Sequence, residues 1–567
     1  MLNSQIRVDA SRWGEDIRRI WSSLGYDEIN WSATPQGKRN FRVIRDLAES
    51  PYYVRAHNLF VSGTGKGIPH FSSGNVYHEA ANGEPIYDWR VVDPVFDTWI
   101  ENNCRPIVEL GFTPWALVPA EAKLPFKRMP SVYGEYESGL WAFPPRDYQR
   151  WADLVRATVT HFVERYGADQ VATWFWELWN EPDISYWQGT PEQYFALYDY
   201  TAAAVKAALP SARVGGPSTT HRGAEFLQSF LAHCAHGQNA VTGATGTPLD
   251  FVSFHTKGAA FPRTYGPSTP DGVIPARKAS PSITKMLVDV QVMLGLIAEH
   301  RQFRDLPILI DECDASVPAH HTIFDNANFG YRNTEYYAVF QCQQMKKLLD
   351  LDALDLAKVS FATTWSWFFE GERYFEGTRS LFTTSGIEKP VLNAYRLLSH
   401  LGGRRLAVTA SHGWTIARLK DAPAYNSAAR DAGISVGEGD EEVDAIATVD
   451  QDGKISVLAW YFADDQYRTG SAKVELTISG LNLGGRVALS HWRVDASHSN
   501  SYAAWVTAGR PWDPSPAQLA LIKAQQGLAR LDPPETVDVR DGEVRLTLDL
   551  PLPSVSLVEL GPATEAS

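Results

Sequence analysis

Trp174-Phe175-Trp176-Glu177-Leu178-Trp179-Asn180-Glu181-Pro182-Asp183 is an aromatic, near-continuous apolar run that stops at Asn-Glu-Pro. Its length suits one strand of a parallel sheet buried on both faces. Pro182 has no N–H for a ladder, so the strand ends there. Glu181 then stands at the carboxyl end of a buried strand, where barrel and open α/β enzymes place their chemistry.

Outward from this run, short apolar stretches alternate with amphipathic ones from about residue 29 to 402. Strands are predicted at Ile29–Ala33, Tyr52–His57, Pro106–Leu110, Val171–Trp179, Arg213–Gly216, Phe251–His255, Pro307–Asp311 and Val359–Trp367. Helices are predicted between them at about 37–49, 92–103, 146–166, 190–208, 223–235, 281–301, 331–350 and 390–401. Eight strand–helix pairs imply a parallel sheet closed into a (β/α)8 TIM barrel with enlarged loops. A doubly wound open sheet competes, but no Gly-rich phosphate fingerprint follows the first strand.

After residue 403 the pattern changes to short alternating strands at Thr415–Lys420, Glu442–Val449, Lys454–Tyr461, Ala472–Ile478, Val487–Val494, Val544–Leu550 and Val555–Leu560. Turn signals such as Asp452-Gly453 separate them, which predicts a C-terminal β-sandwich with a helical insertion at 514–529. The expected organisation is an N-terminal strand joining the sandwich (1–11), a catalytic barrel (12–402) and an accessory sandwich (403–567).

Apolar residues make up 44% and charged residues 21% of the 567, a soluble globular composition. The net charge of -14, with no basic stripe, argues against a nucleic-acid partner. No apolar run reaches membrane-spanning length, and the N-terminus lacks a signal-peptide core, so a cytoplasmic location is expected. Cys104, Cys234, Cys313 and Cys342 fit neither a zinc site nor a disulfide framework. No metal and no cofactor are expected. His320-His321 reads as a pair of solvated loop histidines, and Gly63-Thr64-Gly65-Lys66-Gly67 lacks the spacing of a phosphate loop.

Glu181 follows the fourth strand and Glu312 the seventh, in Ile310-Asp311-Glu312-Cys313-Asp314. Two carboxylates on one rim can flank a glycosidic bond as acid/base and nucleophile, if they stand about 5–5.5 Å apart. Apolar aromatic walls would favour a protonated Glu181. Sugar rings are held by flat apolar faces and a few fixed polar groups, and 19 Trp and 23 Tyr supply such faces. Arg55 and His57 lie two apart on one strand and face the same way; an inward Arg55 would hold Glu312 anionic. Glu177 and Glu109 read as buried structural acids.

Trp179-Asn180-Glu181-Pro182, Phe254-His255-Thr256-Lys257-Gly258 and Ile310-Asp311-Glu312 resemble family 39 glycoside hydrolases, which contain β-D-xylosidases and α-L-iduronidases. Pro106–Pro114, Lys389-Pro390, His498–Tyr502 and Gly509-Arg510-Pro511 extend the resemblance over most of the chain. It implies a retaining mechanism with Glu181 as acid/base and Glu312 as nucleophile. It also implies that Arg55, His57, Asn180 and His255 line the terminal-sugar subsite, Asn180 toward the 2-hydroxyl.

Lys257 departs from the xylosidase pattern and resembles the iduronidase branch, where the Lys meets the sugar carboxylate. It equally suits a neutral hydroxyl, or an acidic partner such as Glu370 or Glu372 in the loop after strand eight. The resemblance places a platform Trp on that strand at Trp365 or Trp367; Trp367 and Glu370 are candidate substrate-binding residues. The expected activity is an exo-acting β-xylosidase on oligosaccharides or aryl glycosides. The alternatives are an iduronidase-like uronate hydrolase, an α-L-arabinosidase, or a barrel that binds carbohydrate without cleaving it.

Overall fold

The structure is a computed structural model that describes residues 1–47, 50–63, 72–123, 139–261, 277–317, 319–369, 371–421, 433–481 and 485–562. Its organising element is a parallel barrel. The strands are Ser23–Tyr26, Tyr52–Ala56, Cys104–Leu110, Phe175–Leu178, Arg213–Thr219, Phe251–Lys257 and Ile308–Asp314, with an eighth in two pieces, Val359–Ala362 and Thr364–Trp365. The first piece pairs with the seventh strand and the second with the first strand, which closes the sheet. The TIM barrel expected from the alternation is therefore what the chain forms.

The first strand lies upstream of its expected position: Ile29–Ala33 is a 3-10 turn, and Ser23–Tyr26 takes the ladder place. Gly25 explains the choice. A Cβ there would meet the Trp365 ring at 2.2 Å, so only glycine lets strand eight approach.

The barrel interior is layered. Tyr53, Ile107, Phe175, Phe251 and Leu309 form a small apolar cluster, and Phe361 packs on it. Two residues further along four of these strands stand Arg55, Glu109, Glu177 and Asp311, and along the fifth Ser253, all buried. An apolar floor thus carries a charged layer. Trp174 and Trp176 point the other way, into the core shared with Phe162 of helix Tyr148–Tyr166.

The strand-rich part forms one ten-stranded sheet that folds over a single apolar core, giving the expected sandwich. The N-terminal strand Leu2–Asp16 sits within it, antiparallel to Arg404–Ala410 and parallel to Gly470–Ser479. Thr415–Lys420 is not a strand: Ile416–Asp421 is a 3-10 turn, and Arg404–Ala410 occupies the ladder instead. Trp414 just before that turn is held by the cations of Lys347 (4.1 Å) and Arg418 (3.6 Å), which anchors the segment to a barrel helix. The insertion contains two helices, Ser501–Thr507 and Pro516–Ala524, where one was expected. No helix of the described residues is long and apolar enough to cross a membrane.

Barrel and sandwich meet through buried charge. Lys347 on helix Glu335–Asp350 reaches Glu442 at 2.9 Å and Asp444 at 3.0 Å, and Lys346 reaches Asp444 at 2.8 Å. Gln343 (2.5 Å) and Trp460 (3.0 Å) donate to the same Glu442. Removing Lys347 would leave these carboxylates buried and short of a cation, so we expect Lys347→Ala to lose about 3 kcal/mol of stability. Urea unfolding measures it; a loss within 0.5 kcal/mol, roughly that of a surface substitution, would contradict a buried network.

Candidate active site

The two glutamates reach one point by different local devices. After Leu178 the chain turns sharply, with Trp179 at φ 68° and Glu181 at φ 47°, a left-handed conformation that bulky residues rarely adopt. Neighbouring strands hold the turn: Trp179 N–H donates to Leu110 O (3.2 Å) and Glu181 N–H to Ser218 O (2.9 Å). Trp179 itself is fully buried against Phe112 and Trp187. The aromatics of this run therefore brace the turn rather than wall Glu181, contrary to expectation.

Glu312 faces inward because of a register shift. Along the seventh strand Leu309 and Asp311 point into the barrel, and regular alternation would send Glu312 outward. The pairing with the sixth strand slips between Ile310 and Glu312, as in a β-bulge, so Asp311 and Glu312 both project inward. Cys313 then points out toward Gln344, and Asp314 points in.

One oxygen of Glu181, one of Glu312 and a ring nitrogen of His255 lie within 4.8 Å of one another. His255 Nδ1 is 2.9 Å from Glu181 Oε1 and 3.8 Å from Glu312 Oε2. The two carboxyls differ in company. Glu312 takes Lys257 Nζ at 2.6 Å, His57 Nε2 at 3.5 Å and Arg55 Nη1 at 3.8 Å. Burial opposes its ionisation, but His255, Lys257 and His57 outweigh burial and hold its pKa well below the usual carboxylate range. Among the described side chains Glu181 meets only the His255 imidazole, and its own side chain remains 16% exposed.

Arg55 is fully buried and holds the charged layer together. Its Nε donates to Glu177 at 2.6 Å; its Nη2 lies 2.9 Å from Glu109 and 3.4 Å from Asp311, and donates to Asn180 Oδ1 at 3.1 Å and Ser218 Oγ at 2.9 Å. Asn180 thereby turns its oxygen inward and keeps its amide N–H2 for a ligand. Burial raises the Glu177 carboxyl above the usual range. Asp311, although buried, is held down by His255 and Arg55.

The two histidines are cationic near neutrality. Burial disfavours the charged form of each, yet Glu109 and Glu312 push His57 up to about 9. Glu312, Asp311 and the bond to Glu181 push His255 up to about 10. The Glu181–His255–Glu312 group thus joins two carboxyls through one imidazole.

Lys257 pairs with Glu312 and Asp314, not with Glu372. Asp314 also accepts from Arg379 (2.8 Å) and from the Trp365 N–H (3.0 Å). Trp365 lies against His57 (4.6 Å), with the Arg55 guanidinium 5.2 Å from its ring, and donates to Asp27 Oδ1 at 3.0 Å. Trp367, the candidate expected from the sequence, packs against Phe382 in the core. The chain leaves the strand after Trp365, so Trp365 is the indole at the site. Glu370 and the Gly-rich stretch beyond Gly63 lie outside the described residues. His320 is exposed as expected, whereas His321 is buried near Phe329. Asp27, Ser218, Asp314 and Arg379 belong to the site and were missed from sequence; only the position of Asp314 on the Glu312 strand could have suggested one of them.

The glycosyl hydrolases family 39 model matches residues 4–533. The chain belongs to that family. This family 39 glycoside hydrolase is 27% identical to a β-xylosidase of Geobacillus stearothermophilus, over 90% of this chain and 86% of that protein. It is 25% identical to the α-L-iduronidase of Mus musculus, over 98% of this chain and 80% of that one. A monomeric β-xylosidase from Caulobacter crescentus CB15 shares its fold, with a TM-score of 0.75 at 24% identity and 99% coverage of both chains.

The raised histidines carry a pH signature. Their contribution to stability is full below about pH 6.5, the unfolded value, and is lost as pH rises toward about 9 for His57 and about 10 for His255. We expect unfolding free energy to fall across that window, and less steeply in His57→Asn. Identical slopes in the two proteins would mean that His57 is not held as a cation.

Proposed function

We propose that this family 39 enzyme is a retaining exo-glycosidase that releases terminal β-D-xylosyl residues from short oligosaccharides or aryl glycosides. The observation that carries the reading is the pair of glutamates within 4.8 Å, one ringed by cations and one beside a single imidazole. That separation suits a retaining pair and leaves no space for the water that an inverting pair, at about 6.5–9.5 Å, must admit.

Glu312, kept anionic by Lys257, His57 and Arg55, attacks the anomeric carbon, while the Glu181 carboxyl donates its proton to the departing oxygen. A glycosyl ester on Glu312 forms. Glu181, now carboxylate, takes a proton from water, and that water displaces Glu312 from the same face the aglycone left. Asn180 offers its amide to the 2-hydroxyl. The barrel (12–402) carries this chemistry, and the sandwich (403–567 with the N-terminal strand) supports it. A carbohydrate-binding protein without activity would have no use for this pair of carboxylates held so differently.

Glu312→Ala is expected to lower kcat about a thousandfold or more. Glu181→Ala is expected to lose about 10²–10⁴ in kcat/KM on substrates with poor leaving groups and far less on activated aryl glycosides, because only the former need protonation. Equal losses on both substrate types would remove Glu181 as the acid.

A uronate-cleaving reading has one observation in its favour: Lys257 and Arg379 are two buried cations beside Glu312. Both are already committed to Asp314, which favours a neutral sugar. A panel of aryl glycosides decides. Wild type should prefer the xyloside over the iduronide and the arabinoside. A preference for the uronate, lost selectively in Lys257→Ala, would reverse the assignment.

A further inference from the structure

Three segments from separate parts of the chain converge on one exposed aromatic surface. Arg373, in the loop after strand eight, lies 4.5 Å from the ring of Phe324 and 4.4 Å from that of Trp512. Phe324 belongs to the loop after the Glu312 strand, and Trp512 to the link between the two insertion helices of the sandwich. Both rings face solvent, Phe324 at 46% and Trp512 at 69% exposure, and they meet on one guanidinium rather than standing singly, as informative exposed apolar surface does. The Glu376 carboxylate feels the Arg373 charge, but among the described residues no side-chain hydrogen bond or close ion pair takes up the guanidinium donors.

The surface is built rather than incidental. Ile323 N–H donates to Glu376 O at 2.8 Å, which ties the two barrel loops together beside it. Phe375 packs on Tyr502 (5.4 Å) and Trp505 (5.3 Å), and Ser501 donates to Glu388 O at 2.5 Å, fastening the insertion to the same loop. Both loops leave the barrel at the strand ends that carry Glu312 and Trp365, so the surface is on the side of the pocket. Arg379, bonded to Asp314 at the pocket floor, is six residues from Arg373, a backbone reach of at most roughly 20 Å.

We propose that Phe324, Arg373 and Trp512 form a binding platform for the leaving-side sugar rings of an oligosaccharide substrate, contributed in part by the sandwich. This rests on the reading of the pocket as an exo-glycosidase site. An exo-acting pocket holds one sugar and lets the remainder run outward over the rim. A free indole face and an aromatic–guanidinium stack offer that remainder apolar contact and hydroxyl-binding donors.

The test compares kcat/KM for a four-residue β-1,4-xylo-oligosaccharide with that for 4-nitrophenyl β-D-xyloside. In the double variant Phe324→Ala, Trp512→Ala, checked for folding by thermal melting, the ratio of the two should fall about tenfold, the worth of one lost stacking contact of about 1.4 kcal/mol. Trp13→Ala serves as the control, since Trp13 is also exposed and stacked by an arginine but borders a pocket next to the C-terminal turn of helix Glu335–Asp350; its ratio should stay at the wild-type value. Titration of Glu312→Gln protein with the same oligosaccharide separates the two readings. Binding that weakens on loss of Trp512, without turnover in the active protein, would overturn the activity and keep the platform. An unchanged ratio and unchanged binding in the double variant would overturn the platform.

Discussion

A fully buried guanidinium is costly unless carboxylates and hydrogen bonds around it compensate its charge, and Arg55 sets that condition for the barrel interior. Its partners come from four other strands: Glu109, Glu177 with Asn180 just past its strand's end, Ser218 and Asp311. No one of them can be lost without leaving charge or a hydrogen-bonding group stranded in a low-dielectric layer. The same layer supports the reaction. Arg55 fixes the orientation of Asn180 and lends field to Glu312, and Glu109 in turn keeps His57 protonated beside that same carboxylate. The network that satisfies a structural charge is also the one that keeps Glu312 anionic, as its proposed role requires.

Positioning is where regular structure is abandoned. The register slip before Glu312 brings two successive acids to the same side of a strand, and the left-handed turn before Glu181 swings a carboxyl across to meet them. The left-handed residues cost about 1–3 kcal/mol each of local strain, and both departures persist because the surrounding core over-determines them. Buried Trp179, packed on Phe112 and Trp187, provides that over-determination at one end. Strand pairing on both sides of Asp311 and Glu312 provides it at the other. Held this way, the carboxyls need little reorganisation when a sugar arrives.

The same departures mark the limit of what the sequence disclosed. The barrel was legible because buried parallel strands and amphipathic helices have distinct periods, and Glu181 and Glu312 were legible as acids at strand ends. Arg55 and His57 followed from a period of two. Trp365 and Trp367 share that period, so alternation could not choose between them; the choice was made where strand eight ends. Asp27, Ser218 and Arg379 were invisible because each acts through a partner far along the chain, Ser218 with Asp311 and Arg379 with Asp314, and no local pattern encodes such pairs. Ile29–Ala33 was mistaken for a strand because its apolar run is the stronger local signal, while Gly25, a poor strand residue, is required by the close approach of Trp365.

The sandwich is less separable from the pocket than its position in the chain suggests. Asp464 accepts from Ser282 Oγ and Ile283 N–H, each at 3.2 Å, at the start of the helix that follows the sixth barrel strand. Gln466 donates to Ala279 O at 2.9 Å and Asn328 O at 3.0 Å, and Tyr467 to Asn328 Oδ1 at 2.7 Å. The return limb of the loop that begins just past His255 and Lys257 is therefore held by one sandwich turn, and so is a segment downstream of Glu312. A module joined only by a linker would impose nothing on those loops. One whose polar side chains satisfy their backbone groups helps to set where the rim of the pocket lies, and a barrel freed from it would have to find new partners for each of those groups.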